Sequence, residues 1–482
     1  MRIDLAAAGV LCGLLCACVT PQERVTPPAK AIAPASLATT KTISGSPSGE
    51  WPGERWWTVF GDTQLDGLID EALAGNPALR VAQARIAQAR AQVDAVLASS
   101  TPGFIGGLDI THQRYSESGT VPPPIAGTTR TSSRLAMDFS FELDYAGRYD
   151  AAIAAARASE SAAGADAYAA RLTLSSALAR AYFQLQSLFA LRAISAREIA
   201  QAEHRIALTR QRFGAGLDTE VALSRAETVP PGIRAGIAQL EAAIALARNQ
   251  LAALAGQGPD RGLSINAAIG PATPSRATSA AAQAVPDNLP LDLLGRRPDL
   301  AAARWRAESS AREIEVARLR FLPNVNLVAF AGLASLGLDR LLSAGSLIAG
   351  VGPAVRLPLF SAGGLQAALN GREADYDLAV ERYNELVVEA VREVADQVQV
   401  RRAIEAEGRE RTRVIAATDR TLRLAQERYR AGIANYLEVL DAESALFGLQ
   451  RAEADLRVRA LQAEVSLYRA LGGGYADGPR SR

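Results

Sequence analysis

The sequence contains one pattern twice. The motif Arg-aromatic-x-Ala-Gly occurs at residues 212–216 and returns at 428–432, and a Pro-x-Leu element at Pro77 returns at Pro298. Fragments that recur at a nearly constant offset indicate two structural repeats inside one chain. Repeats of this kind are typical of rings, channels and solenoids, in which each unit packs against its neighbours. We therefore predict one elongated body with two structural repeats, and not several independent domains.

Composition narrows the fold class. Hydrophobic residues make up 49% of the chain but aromatic residues only 5%, and alanine supplies the difference. Alanine-rich sequence favours long, closely packed helices. Beyond the N-terminus, no apolar run approaches the roughly 20 residues that a membrane-spanning helix needs, so any membrane-spanning part is predicted to consist of β-strands. The net charge of +1 gives no indication of a nucleic-acid partner.

One segment has the alternation of an amphipathic β-strand. At about 133–144, apolar residues at odd positions from Leu135 to Leu143 alternate with polar ones such as Asp138 and Glu142. Such alternation is typical of a strand with one apolar and one polar face, and about ten residues suffice for a tilted strand to cross a membrane. The alternative is a half-buried strand of a soluble sheet.

Three further strands are predicted at about 104–115, 324–333 and 347–359. Pro353 and Pro358 place the last of these at a sheet edge or a strand end, because proline cannot donate a hydrogen bond to a neighbouring strand. Four strands are too few to close a barrel, so a membrane β-barrel built from them requires several copies of the chain.

A very long helix is predicted after each strand pair. Proline is absent from 147–213 and from 364–429, and apolar residues there recur at spacings of three and four, which is typical of coiled coils. At 1.5 Å per residue, each helix would be roughly 100 Å long. The glycine motif ends each long helix, and return helices are predicted at about 220–255 and 436–471. The Pro-Pro pair beginning at Pro230 predicts a bend or a break in the first return helix.

These elements set the domain boundaries. The first structural repeat is predicted to cover 56–256 and the second 291–472. A linker and equatorial segment at 257–290 separates them, and a C-terminal tail at 473–482 follows.

The N-terminus carries a predicted export signal. Residues 1–17 are expected to form a signal peptide, because a short apolar stretch follows Arg2. The Leu-Cys-Ala-Cys sequence ending at Cys18 resembles the bacterial lipobox, so a covalent lipid is expected on Cys18. A plain signal peptide cut near Ala17 is the alternative. Residues 18–55 are predicted to form a tether and an equatorial segment.

No enzyme site is predicted. The only lysines are Lys30 and Lys41, both in the tether, which makes a P-loop implausible, and no His-Glu-x-x-His, Cys-x-x-Cys or Gly-x-Ser-x-Gly motif is present. His112 and His204 lie on a predicted strand and a predicted long helix and are not expected to share a metal. We therefore expect no cofactor or metal, apart from the lipid on Cys18.

Several short motifs together match a known family. In chain order, the motifs lie at 56–62 (Trp-Trp-Thr-Val-Phe-Gly-Asp), 141–144 (Phe-Glu-Leu-Asp), 296–299 (Arg-Arg-Pro-Asp), 358–364 (Pro-Leu-Phe-Ser-Ala-Gly-Gly) and 436–442 (Tyr-Leu-Glu-Val-Leu-Asp-Ala). Their order and spacing, more than any single motif, carry the match. Together with the lipobox, they resemble the outer-membrane factors of tripartite efflux pumps, the TolC/OprM-like channels, and within them the NodT-type lipoproteins. The resemblance covers almost the whole mature chain.

This resemblance implies a mainly α-helical homotrimer with a membrane β-barrel. Each protomer would give four strands to one shared barrel, and the long helices would form a coiled-coil tunnel through the periplasm. The assembly would be a passive conduit for drugs or other small molecules, supplied by an inner-membrane efflux transporter of RND type through a periplasmic adaptor (membrane fusion protein). Alternatives are a channel for type I protein secretion and a membrane-tethered coiled-coil scaffold.

The resemblance also implies a location. Val19, directly after the candidate lipidated Cys18, carries no retention signal for the inner membrane. The expected place is the cell outer membrane, where the protein would be lipid-anchored and extend into the periplasm.

The resemblance finally assigns roles to residues around the two glycine turns. Both turns would form periplasmic tips that contact the adaptor, through Gly216, Leu217, Gly432 and Ile433. The second turn would also form a closing aperture, through Tyr429, Glu438 and Asp441. Two departures from the family, Ala434 and Ala222, leave the partners of a closing network open.

A physical argument that does not depend on the resemblance also applies to the two carboxylates of the predicted aperture. Threefold symmetry would bring three copies of Glu438 and of Asp441 around one axis, where like charges attract cations and resist full ionisation. The alternative is that both are ordinary first-turn acids, which favour the N-terminus of a helix.

Overall fold

The computed structural model describes residues 20–24, 26–33, 36–43, 51–268, 293, 295–358 and 361–476. The predicted signal peptide and Cys18 lie outside the described residues. Residues 269–290 of the predicted linker and 477–482 of the predicted tail do so as well.

Long helices dominate the described residues. They are α1 (Thr63–Gly75), α2 (Pro77–Ser99), α3 (Arg148–Gly214), α4 (Glu220–Leu254), α5 (Pro298–Leu319), α6 (Ala362–Arg430) and α7 (Tyr436–Ala470), with short helical turns at Thr40–Ile43, Trp56–Phe60, Asp260–Leu263 and Ala344–Ser346. The strands are β1 (Gly103–Arg114), β2 (Thr129–Glu142), β3 (Asn324–Leu336) and β4 (Leu347–Arg356). Among the described residues, no helix combines the length and apolarity needed to cross a membrane.

The order of elements occurs twice. The series α2, β1, β2, α3 and α4 returns as α5, β3, β4, α6 and α7. The two long helices, α3 and α6, contain 67 and 69 residues, and the return helices α4 and α7 contain 35 residues each. The predicted fold of two repeats, each with a strand pair and a long helix, is confirmed.

The first return helix differs from its prediction. Pro230 and Pro231 lie inside α4, which continues without interruption from Glu220 to Leu254. Of the predicted bend or break, the break is therefore wrong and the bend stays a prediction. Proline holds a φ close to the helical value and mainly removes an N–H donor. The helix therefore continues through the pair, although Ala226 and Glu227 lose the partners their carbonyls would have four residues later.

The chain divides into two compact units. The first contains Arg85–Ala163, Ala303–Tyr383 and the described residues up to Ala31, and it holds the β-sheet. The second contains Ile32–Ala84, Gly164–Ala302 and the chain from Asn384 onward, and it holds both glycine turns.

The sheet of the first unit is antiparallel, with strand order β1-β2-β3-β4. The structure moves the predicted strand ends: β2 starts at 129 and ends at 142 where 133–144 was predicted, β3 continues to 336 beyond the predicted 333, and β4 ends at 356, before the predicted 359. The strand of Pro353 lies at the sheet edge, as its missing N–H predicted.

The core of the second unit is aromatic. The Trp-Trp-x-x-Phe segment beginning at Trp56 packs on the long helix and the last helix: Phe60 lies 4.9 Å from Phe183 between ring centroids, and Trp56 stacks on Tyr468 at 5.7 Å. Buried aromatic pairs combine a large apolar area with about 1 kcal/mol of geometric preference each. The 56–62 motif therefore builds the core of this unit.

The same motif also starts α1. Asp62 accepts hydrogen bonds from the backbone amides of Gln64 and Leu65, which caps the helix. The hydroxyl of buried Tyr182 donates to the other carboxylate oxygen of Asp62 at 2.7 Å. Burial, and then this carboxylate, raise the pKa of Tyr182 above its usual value, so the phenol remains a donor.

Candidate functional site

One face of the sheet is apolar and exposed. Directly opposed residues of an antiparallel pair point to the same side, and the register aligns Leu135 with both Leu108 and Leu333, and Phe139 with Phe104. Within the protomer this face is open: the exposed fraction is 67% for Phe104 and 77% for Val351. A soluble sheet would bury such a face, so the arrangement favours contact with lipid.

The opposite face of the sheet carries most of the charged side chains of β1 and β2. Arg134 pairs with Asp138 at 2.5 Å, and its guanidinium lies 5.9 Å from the ring centroid of Phe330 on the neighbouring strand. Asp109 lies opposite Arg134 in the register. The even-numbered side of β2 thus carries charge and the odd-numbered side carries hydrocarbon, as a strand between water and lipid requires.

The first glycine turn is closed by its own residues. Gly216 has a φ of +69°, and the amide of Leu217 donates to the carbonyl of Arg212 at 2.8 Å. This is the left-handed C-cap that favours glycine. The Arg212 side chain folds back to Asp218, with 3.2 Å between Nε and the carboxylate, and Thr219 caps α4 through the amide of Ala222.

The second glycine turn repeats this backbone. Gly432 has a φ of +73°, and the amide of Ile433 donates to the carbonyl of Arg428 at 3.0 Å. Asn435 caps α7 through the amide of Leu437. Leu217 and Ile433, the apolar residues of the two predicted tips, are 67% and 70% exposed.

The residues predicted for the aperture gather around the second turn. Asp441 accepts from Arg205 of α3 at 2.7 Å, and Glu438 accepts from Arg428 at 3.3 Å. The Tyr429 ring lies 4.8 Å from the ring of Tyr436. Since the carboxylates project into solvent, each ion pair contributes at most about 1 kcal/mol to stability.

Sequence reasoning missed three participants at this turn. Arg205 and Gln201, one helical turn apart on α3, bind the start of α7: Arg205 through Asp441, and Gln201 through the carbonyl of Leu440 at 2.7 Å. His204 lies edge-on to Tyr436, 5.1 Å between ring centroids. Spacing carries no signal for these contacts, because they depend on how two distant helices pack.

The Arg205 contact bears on the closing network that the sequence left open at Ala434. Alanine at 434 offers no charge, and within the protomer the basic partner of Asp441 comes from α3. The basic partner of Asp441 is therefore supplied by another helix of the same unit.

A buried carboxylate lies further along α7. Glu464 is 8% exposed and its Oε2 has no hydrogen-bond partner among the described residues. Arg401 of α6 is 7% exposed; its Nε and Nη1 make no hydrogen bond there, and Nε lies 3.6 Å from the carboxylate of Glu405. Burial raises the pKa of Glu464 to about 7, Arg401 opposes that shift and Glu405 adds to it. This acid therefore changes charge near neutral pH.

The 296–299 motif forms a buried anchor in the second unit. Arg297 binds Asp299 at 2.6 Å, Glu393 of α6 at 2.7 Å and the carbonyl of Ala470 at 3.2 Å. Burial alone would raise the pKa of Asp299, but the bonds to Arg297 lower it overall. The role of this motif is structural, because it joins the start of α5 to the end of α7.

No group of three or more His, Cys, Asp or Glu side chains within the described part of the chain is placed to hold a metal ion.

Comparison with known proteins assigns the family. The model of the family "Outer membrane efflux protein" matches residues 68–257 and 289–473. The multidrug resistance outer membrane protein MdtP of Escherichia coli O6:H1 is 29% identical over 440 residues, 90% of this chain and 88% of MdtP. The fusaric acid resistance protein FusA of Burkholderia cepacia is 34% identical over 332 residues, 67% of this chain and 60% of FusA.

A solved structure gives the same answer for the fold. The outer membrane protein VceC of Vibrio cholerae superposes with a TM-score of 0.77 at 34% identity, covering 88% of this chain and 100% of VceC. The fold is thus that of a channel. It includes the sheet with one exposed apolar face, the two long helices and the repeated glycine turns. The chain belongs to the outer membrane efflux protein family and is an outer-membrane channel for efflux.

Proposed function

We propose that three copies of the chain form the outer-membrane conduit of a tripartite efflux pump. The observation that carries this proposal is the open four-stranded sheet with a continuous exposed apolar face. Its edge strands, β1 and β4, have free hydrogen-bonding sides within the described residues. Pairing β4 of one copy with β1 of the next closes a barrel and removes both edges.

The helices would form the periplasmic tunnel, and the two turns would meet a periplasmic adaptor. Support comes from Leu217 and Ile433, exposed apolar side chains at the apices of two glycine-capped turns. Phe213 and Val221 near the first turn and Tyr429 near the second are exposed as well, and exposed apolar patches mark protein contact sites. The adaptor would connect the conduit to an inner-membrane efflux transporter of RND type.

The second turn would hold the closed aperture. Three symmetry-related copies of Asp441 and Glu438 would line a narrow axis, with Tyr429 packed beside them. The side chain of Asp441 is 70% exposed although Arg205 binds it, so it remains open to a neighbouring copy or to a cation. Opening would require separating α7 from α3 at Arg205 and Gln201.

Small organic molecules are the proposed substrates. MdtP is named for multidrug resistance and FusA for resistance to fusaric acid. These names favour efflux of small molecules over type I protein secretion. The exposed apolar face of the sheet disfavours a scaffold without a membrane-spanning part.

A lipid on Cys18 would add an anchor at the membrane. The described residues after Cys18 support this, because they lie along the start of α6, the part that follows β4. The backbone of Gln22 donates to Gln366 at 2.8 Å, and Arg24 and the amide of Ala29 bind Asp377. Replacing Cys18 with Ser should abolish labelling by radioactive palmitate, and persistent labelling would refute this site.

Single-channel recording in planar bilayers tests the proposed conduit. The purified full chain should migrate as a trimer and insert discrete pores. A monomer, or a preparation that inserts no pores at any protein concentration, would overturn the proposal. Loss of the gene should sensitise cells to small toxic compounds and leave protein secretion unchanged; the reverse pattern would support a secretion channel.

A further inference from the structure

A cavity of about 360 Å³ lies where the central strands of the sheet meet the helices. Its lining includes Glu142 and Tyr145 from the end of β2, and Arg320 and Leu322 from the segment before β3. We call it the rim cavity. Because β2 and β3 are the inner strands of the sheet, the rim cavity lies away from the edges that would join neighbouring copies.

The acids of the rim cavity already have bonding partners. Glu142 accepts from Arg148 at 2.5 Å and from the Tyr149 hydroxyl at 3.0 Å. Asp144 accepts from the backbone amides of Arg148 and Tyr149 at 2.6 and 2.8 Å, which caps the first turn of α3. Both carboxylates are therefore engaged by the start of α3, and within the described residues neither forms a hydrogen bond or ion pair with Arg320.

Arg320 lines this cavity and has no directly bound acid among the described residues. It directly follows Leu319, the last residue of α5, and its side chain is exposed. Within the described residues it makes no hydrogen bond or ion pair, and so does not cap the carbonyls at the end of α5. A guanidinium held at a cavity without a partner is available for an anion, and phosphate matches its planar fork.

The margin of the rim cavity is apolar and continuous with the lipid-facing side of the sheet. Leu143 extends the odd-numbered apolar row of β2 and is 53% exposed, as is Tyr145. The Tyr145 hydroxyl donates to the carbonyl of Pro323 at 2.6 Å, which fixes the ring beside the cavity. Leu322 is also exposed. A cation next to a hydrocarbon strip suits a molecule with an anionic head and apolar chains.

We propose that the rim cavity binds an anionic phospholipid, with its phosphate on Arg320 and its acyl chains along the strip that ends at Leu143. The inference rests on the proposed placement of the sheet in the outer membrane. Tyrosine and arginine are common at such interfaces, where the phenol and guanidinium meet head groups and the side-chain bodies meet hydrocarbon. The bound lipid would fix the depth of the sheet in the bilayer.

Native mass spectrometry of the full-length assembly in detergent tests this site. The protein is titrated with phosphatidylglycerol, with phosphatidylcholine as the zwitterionic comparison and inorganic phosphate as the free-anion comparison. Arg320→Ala should weaken phosphatidylglycerol binding about fivefold, the fold-change equivalent to the loss of one interfacial cation. Arg320→Lys should restore part of it, because the charge returns without the fork.

The matched control is Arg340→Ala, in the loop at the opposite end of the sheet, where the side chain is also exposed. Parental binding by this control supports the proposal. Unchanged binding by Arg320→Ala, equal losses in both variants, equal binding of phosphatidylcholine, or displacement of the lipid by inorganic phosphate would overturn it. Pore insertion is recorded on the same preparations: absent pores in the parent contradict the proposed function, whereas normal pores with unchanged lipid binding contradict only the lipid site.

Discussion

The two repeats share one order of elements but bury different chemistry. At the offset that relates the two glycine motifs, Leu185 of α3 corresponds to Arg401 of α6, and Arg248 of α4 corresponds to Glu464 of α7. Leu185 is fully buried in the aromatic core of the second unit. Arg401 and Glu464 are almost as buried, yet both can carry charge. The second repeat therefore buries an arginine and an acid where the first places a buried leucine and a half-buried arginine.

The two glycine turns also differ in the partners of their charged side chains. Arg212 of the first turn binds Asp218 within that turn, whereas Arg428 of the second reaches Glu438 in the return helix. Only the second turn is followed by an acid bound to the other repeat, through Asp441 and Arg205. The two turns are therefore not equivalent: the second is tied to α3 through contacts that can break, which suits a gate at the second turn.

Leu185→Ala should give the largest effect on stability. The side chain is 0% exposed, so its removal leaves a cavity and should cost about 4 kcal/mol. Thermal unfolding of the purified protein would show a lowered midpoint. The control is Leu246→Ala on α4, where the side chain is 69% exposed in the protomer; equal losses in both variants would contradict the packing role assigned to Leu185.

Replacing Glu464 with Gln should remove a pH dependence of the stability of the folded chain. The pKa of Glu464 is raised from 4.5 to about 7 in the folded chain, so the folded state binds the proton more tightly than the unfolded state. The stability this confers is complete below pH 4.5 and is lost as the pH rises through about 7. The variant should be more stable than the parent at pH 8, by about 2 kcal/mol.

The pH profile of the thermal midpoint measures this difference. Parent and Glu464→Gln should converge near pH 4.5 and separate as the pH rises. Glu405→Gln is the matched control on α6. The side chain of Glu405 is 37% exposed, and its charge affects the pKa of Glu464 less than burial and Arg401 do. A constant gap between parent and Glu464→Gln across this range would show that the carboxylate stays ionised in the folded chain.

Local signals predicted the repeated elements, and packing decided the rest. The alternation from Leu135 to Leu143 identified β2, but its first residues, Thr129 to Ser132, lack apolar alternation and become strand because they pair with β1 and, at Ser132, also with β3. The proline-free stretches predicted α3 and α6 because proline interrupts helices. The Arg205–Asp441 and Arg401–Glu464 neighbours join distant segments, and no short-range pattern encodes them.

Asp441→Ala should open the aperture more than Asp218→Ala at the first turn. The substitution removes the ion pair to Arg205 and, in the proposed trimer, three carboxylates around the axis. We expect a severalfold rise in closed-state conductance in planar bilayers, and Arg205→Ala should give a similar rise. Asp218→Ala removes the contact with Arg212 and the bond from the Thr219 amide, both inside the first turn, and conductance should not change. A rise of equal size in Asp218→Ala would place the gate on both turns.

Gly216→Ala and Gly432→Ala should have the smallest effects, and these should be equal. Both glycines have φ near +70°, and an added Cβ would meet nothing within 4 Å at either position. The cost is therefore backbone strain alone, about 1 kcal/mol at each turn. Hydrogen exchange of the turn amides should accelerate about fivefold in each variant. The turns share a backbone conformation and differ in side-chain contacts. A smaller acceleration in Gly432→Ala than in Gly216→Ala would therefore mean that the contacts of Arg428 and Asp441 hold the second turn in place even when its backbone is strained.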